Sequence, residues 1–219
     1  MIYDDMRLPN GWQWKRLKYI ASYNDRTLNE STDPSYEFRY IEISDVSLSA
    51  GISNATPMSF AEAPSRARRI VQKHDILVST VRTYLKAIAV VVDDADDLIA
   101  STGFCVIRAK QDIEALYLGW VLKSDIFVDE VVSQSVGVSY PAINASALMN
   151  INVPLPPRDR QAAISDFLKE RMAKIDRLSG NNDPSRSEIG AITALQRRIG
   201  EYRSSLIFHA VTGQIEGLR

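Results

Sequence analysis

The sequence predicts an α/β (α+β) domain of mixed, mostly antiparallel strands, followed by a C-terminal helical region able to form a coiled coil. Short β-branched runs separated by turn residues fill the middle of the chain. Helical spacing of apolar residues begins near Ile113 and returns after Pro157. Between them Pro154-Leu155-Pro156-Pro157 marks a boundary, because proline resists strand continuation and suits a helix N-terminus. Two units are therefore expected, 1–156 and 157–219.

Taken in order, Trp12 to Ala21 reads as a short helix or turn that plugs one end of a core. Tyr36 to Val46 alternates Phe38, Tyr40, Ile43 and Val46 with charged residues, a strand with a turn. Arg68 to Val78 reads as strand, tight turn, strand around Lys73-His74-Asp75. Ala87 to Val92 is a buried strand, and Asp93-Asp94-Ala95-Asp96-Asp97 a solvated acidic turn. Leu98 to Arg108 is one further strand. Leu116, Tyr117, Trp120, Val121, Phe127, Val128 and Val131 give Ile113 to Val132 a helical period, broken near Lys123-Ser124. Ser133 to Asn144 is a Ser/Gly-rich loop, and Ala147 to Pro154 a short strand.

Beyond the prolines, Ile164, Phe167, Leu168, Met172, Ile175 and Leu178 mark one face of a helix over about Arg158 to Ser179. Gly180 to Pro184 stops it. A second helix, about Ser185 to Ala210, carries Ile189, Ile192, Leu195, Ile199, Tyr202 and Leu206 at steps of three or four. Such stripes serve either a fold-back onto the domain or a coiled-coil interface; the period alone favours neither.

Composition narrows the function classes. The 219 residues are 45% hydrophobic and 24% charged, ordinary for a globular protein. No window approaches a membrane span, and the acidic start lacks signal-peptide order, so a cytoplasmic protein is expected. Cys105 lies in an apolar run and reads as a buried structural thiol. His74 and His209 have no cysteines nearby, so no metal site is expected. The net charge of −1 gives no global hint of nucleic acid. Residues 1–156 carry 15 Lys and Arg against 19 Asp and Glu, and residues 157–219 carry 11 against 8. Any argument for nucleic-acid binding rests on where the charges sit.

Catalytic motifs are missing. There is no phosphate-cradling glycine loop. Asp33-Pro34-Ser35-Tyr36 resembles a base-holding motif of amino-methyltransferases, but no glycine-rich turn for a methyl donor accompanies it, and Asp-Pro-Ser is a good turn former. No nuclease pattern or nucleophile–histidine pair stands out. These absences point to a binding protein.

Two segments offer recognition chemistry. Arg66, Arg68, Arg69 and Lys73 form the densest basic cluster of the first unit, and Ser79, Arg82, Tyr84 and Lys86 follow. Cations and hydroxyls can grip phosphates while loop-tip polar groups read base edges; equally, such residues form a solvated face paired with the acidic turn. The second segment, 133–144, offers Ser139, Tyr140 and Asn144 on a long loop, either a functional surface or a connector.

The order of segments resembles the specificity subunits of Type I restriction–modification systems. The matching pieces are Gly11 to Leu17, Tyr40 to Val46, Ala67-Arg68-Arg69-Ile70, Asp75 to Arg82 and Ile99 to Phe104. Further on come Pro154 to Pro157 with Arg160-Gln161, then Lys174 to Leu178, Tyr202 to Ile207 and Ala210 to Ile215. The resemblance implies a non-catalytic target-recognition domain followed by a helical region that docks methyltransferase subunits. It implies adenine methylation with S-adenosylmethionine on those subunits, and cleavage using ATP and Mg on a restriction subunit. It places Asp75 to Lys86 and the loop around Tyr140 near double-stranded DNA. Most members carry two recognition domains and two helical regions. A single copy of each implies a homodimer, with Ile164, Leu168, Met172, Ile175, Leu178, Ile192, Leu195, Ile199, Tyr202 and Leu206 facing the twin or a partner subunit. The first helix, roughly 33 Å long at 1.5 Å per residue, approaches one DNA turn of about 34–36 Å. A symmetric dimer of that spacing is expected to read a bipartite palindromic site.

Overall fold

The computed structural model describes residues 3, 5–94, 96–180 and 189–218, with backbone alone at 178–180 and 189–194. A central four-stranded antiparallel sheet organises everything else. Its order is β2 (Ala21–Tyr23), β11 (Phe104–Ala109), β8 (Ile76–Ser79), β9 (Ile88–Val90). Both faces are buried, which is why its strands read as continuous apolar runs. Ile76, Val78, Cys105 and Ile107 point into the largest core. Leu77, Phe104 and Val106, one residue out of phase, point into a second.

The second core lies between this sheet and another four-stranded one. That sheet runs β6 (Thr56–Ser59), β3 (Glu37–Ile41), β10 (Leu98–Ser101), β7 (Ala67–Ile70). Its one parallel pair is β10 with β3. Leu98 and Ala100 face inward to the second core, and Ile99 faces outward with Phe38, Tyr40 and Ala67. Two short hairpin strands, β4 (Val46–Ser47) and β5 (Gly51–Ile52), close the edge.

Each expected long strand is cut where the chain changes sheet. Leu98 to Arg108 is β10 and β11, separated at Thr102-Gly103, because a single strand cannot serve two layers. The strand–turn–strand at Arg68 to Val78 likewise divides: β7 joins the outer sheet and β8 the central one. At the turn, His74 takes φ 72°, and buried Asp75 accepts the Gln72 amide at 2.9 Å and the Arg108 guanidinium through two 2.8 Å bonds. The strand expected over Ala87 to Val92 is shorter, since Val92 is exposed.

The opening segment departs most. Trp12 to Ala21 contains β1 (Gln13–Arg16) before the one-turn α1 (Leu17–Ile20). β1 pairs antiparallel with β12 (Asn152–Leu155), a long-range partner that local period could not disclose. The strand expected from Ala147 starts later, because Ala145–Leu148 form the short helix α4. Pro154 is tolerated within β12 because the sheet has only two strands, so one side of each needs no donor.

The helices follow the sequence closely. α2 (Ala115–Lys123) and α3 (Asp125–Ser133) break at buried Ser124. α2 packs tightly on β9: a Cβ at Gly119 would collide with Val90. α5 spans Arg158–Gly180 and α6 Ile189–Val211. The boundary at Pro156 is a strand-to-helix junction rather than a gap between two cores. Ile164 and Leu168 of α5, and Ile207, Ala210 and Val211 of α6, lie in the same core as the central sheet. Gln161 fixes the junction by donating to the Pro156 carbonyl at 3.1 Å and accepting the Glu114 amide at 2.9 Å. Arg203 of α6 pairs with Asp176 of α5 farther out. The fold-back reading therefore holds for the core-proximal turns; Leu195 and Tyr202, farther along α6, are exposed. The stop at 180–184 lies outside the described residues after Gly180, as do the side chains of Leu178, Ile189 and Ile192. No helix among the described residues is long and apolar enough to cross a membrane.

Candidate nucleic-acid interface

The two candidate segments, far apart in sequence, form one surface. β8 ends at Ser79, and the chain then turns through Thr80 to Lys86. Arg82 (φ 49°) and Lys86 (φ 52°) are left-handed and bracket a 3-10 turn at Thr83–Leu85. Left-handed backbone is uncommon outside glycine, and such positions cluster at functional sites. The second loop closes on itself through paired bonds between Val136 and Ala142, of 2.9 and 3.0 Å. Gly137 (φ 115°) makes the bend, and a Cβ there would meet the Tyr140 carbonyl at 3.1 Å.

Three hydrogen bonds lock the loops together. The Ile143 amide donates to Thr80 at 2.9 Å, the Thr83 amide to Pro141 at 3.4 Å, and the Thr83 and Ser135 hydroxyls meet at 2.8 Å. Arg82 lies over the Tyr140 ring at 4.7 Å, a cation–π contact that fixes both side chains at the surface.

The basic residues divide by what they touch. Arg82 and Lys86 have no carboxylate partner among the described residues. Arg66 pairs with Glu42 and donates to the Tyr40 hydroxyl at 3.2 Å. It stays exposed at the loop end of β7: its carbonyl accepts the Thr102 amide, next to Gly103, whose carbonyl accepts from Thr80. Arg68 is half-buried, stacked on Phe60 at 4.8 Å. Arg69 is also half-buried, with its Nε enclosed and unbonded. Lys73 lies beyond the opposite ends of β7 and β8, paired with Asp94 at 2.9 Å. The sequence cluster is thus split along the strands, and Lys73 does not join the loops.

Ser79 also turns inward. It is buried, and its hydroxyl donates to the Val81 carbonyl at 2.6 Å, shaping the turn. Tyr84, Ser139, Tyr140 and Asn144 are exposed. Sequence reasoning overlooked Val81, Leu85, Val136 and Val138, all exposed on this same surface. The signal was present as a Val-Gly-Val within an otherwise polar loop. Away from the surface, Asp33-Pro34-Ser35 is an exposed turn in which Asp33 accepts the Ser35 amide at 2.8 Å. Burial pushes the Cys105 thiol up to about 12, so the cysteine is a core residue.

A family model described as the Type I restriction modification DNA specificity domain matches residues 9–182. The chain belongs to that family. This specificity domain is 34% identical to the HsdS subunit of Thermoanaerobacter tengcongensis, with a TM-score of 0.70 over 82% of this chain and 47% of that one. A second chain, solved in work on complex assembly and conformational transition of the type I R-M system, matches at 34% identity and TM-score 0.70, covering 80% and 46%. The S subunit of M. genitalium, at 14% identity and TM-score 0.52 over 80% and 43%, shares the fold. The HindI specificity subunit of Haemophilus influenzae is 23% identical over 165 residues, 74% of this chain and 33% of the relative. The specificity domain thus spans about half the length of the solved relatives and a third of the curated one.

Proposed function

We propose that the chain reads DNA sequence for a Type I restriction–modification complex and performs no chemistry itself. The observation that carries this reading is the convergence of Thr80–Lys86 with Val136–Asn144 into one hydrogen-bonded surface bearing Arg82 and Lys86, neither paired with an acid among the described residues. Unpaired cations are free to replace counterions along a phosphate backbone, and Tyr140, Ser139 and Asn144 offer polar groups to base edges. Arg66 joins the same edge once a phosphate competes with Glu42.

In the complex, methyltransferase subunits use S-adenosylmethionine to methylate adenine, and a restriction subunit uses ATP and Mg; this cytoplasmic chain supplies the address. Two copies pair through the distal parts of α5 and α6, where exposed Leu195 and Tyr202 support an interface. Such a homodimer presents two readers to a bipartite site. Ile164 and Leu168 are buried within the chain, and Met172 and Leu206 are partly buried against the same core, so any twin contact lies mainly beyond them, from Ile175 outward and on Leu195 to Tyr202. Methylation mapping in cells with and without the chain, with its methyltransferase partner retained, tests the reading. The methylated motif is expected to change or vanish; an unchanged motif would overturn it.

A further inference from the structure

We propose that Val136 and Val138 are specificity determinants that pack against thymine methyl groups in the major groove. This rests on the DNA-reading function above and names a chemistry it leaves open. A singly exposed valine is unremarkable on any protein. Here Val138 is fully exposed at the tip of a loop, and Val136 is largely exposed at its base, where paired bonds with Ala142 hold it. Tyr84, Leu85 and Tyr140 are exposed beside them. The patch is bordered by Arg82 and Lys86, neither held by a carboxylate among the described residues, so an anionic partner suits its rim better than a neutral one.

The occupant follows from what a groove presents. Phosphates and base-edge donors and acceptors give valine nothing. The major groove contains one apolar group, the C5-methyl of thymine, and small apolar side chains are its natural contact. A short β-branched side chain has little rotamer freedom to lose on contact, and the Val136–Ala142 bonds hold the tip before binding. The arrangement therefore reads an A·T pair by shape while Arg82 grips the backbone.

The test uses the full chain with its methyltransferase partner and a duplex bearing the motif mapped for the wild type. Each thymine is replaced in turn by deoxyuridine, which removes the methyl and leaves base pairing intact. At one or more positions the wild-type affinity should fall about four-fold per methyl lost. Val138→Ser or Val136→Ser should bind the thymine duplex more weakly and lose that sensitivity, while Val138→Ile should keep it. Failure of the underlying reading looks different: the wild type would then prefer the mapped duplex no more than a scrambled one. Affinity that depends on Arg82 but is indifferent to every thymine methyl would overturn the inference alone. So would sensitivity that survives both serine variants, or a Val138→Ser effect confined to association with the methyltransferase partner.

Discussion

The two ends of β8 carry similar cations in opposite circumstances. At the start, beside the acidic turn, Lys73 is paired with Asp94, Arg39 with Asp93 and Asp97, and Arg108 with Asp75. At the finish, Arg82 and Lys86 stand on left-handed backbone with no acid paired to them among the described residues, and Tyr140 is the neighbour that holds Arg82. The first end spends its charge on structure. The second leaves it available to a ligand. A count of basic residues treats the two alike, and pairing is what separates them.

The sharpest way to break this contrast is at Asp75. It is buried while Arg108 remains about a quarter exposed, so Asp75→Ala strips both short bonds from a partly buried guanidinium, leaving it Asp25 at 3.5 Å, and takes the acceptor from the Gln72 amide. A loss of about 3 kcal/mol is expected in urea unfolding, with β7 and β8 both loosened. At the other end, Arg82→Ala should cost DNA affinity about ten-fold and lower the salt slope by about one, with melting temperature nearly unchanged. Smaller is Thr83→Val, which removes the hydroxyl bond to Ser135; about 1 kcal/mol of stability should go, and amide exchange should quicken at Ile143.

The smallest effect concerns pH. The Arg39 guanidinium holds the Asp97 carboxyl below the usual aspartate range. A depressed folded-state value contributes stability that is complete above the unfolded value, about 3.9, and is lost as pH falls through the lowered one. The pair is partly exposed, so screening reduces it. Arg39→Gln should lower the melting temperature slightly at neutral pH, flatten the acid limb of a thermal pH profile, and change nothing at a pH acid enough to protonate Asp97 in both states.

Much of this was legible in the sequence because local period sets local structure. The break at Ser124 and the helix that begins at Arg158 follow from spacing and from the prolines before it. What stayed hidden is long-range. Nothing near Trp12 announces that β1 pairs with β12, and nothing in Leu98 to Arg108 shows that Thr102-Gly103 passes the chain from one sheet to the other. The candidate site divides the same way. Arg82 and Tyr140 were visible as residue types, but their contact depends on two loops meeting across the fold. Lys73 looked like a member of the same cluster because strand direction, which carries it to the far end, is absent from a linear reading. Val136 and Val138 were passed over because an exposed apolar residue has no signature until a surface exists.

The central claim is that the loop end of the central sheet, and not its acidic end, holds DNA. The most direct measurement compares the affinity of the complex for its mapped duplex across salt concentrations in two variants, Arg82→Ala with Lys86→Ala, and Lys73→Ala. The account predicts a marked loss and a shallower salt dependence in the first, and wild-type behaviour in the second. Equal losses in both, or a loss with Lys73→Ala alone, would contradict it.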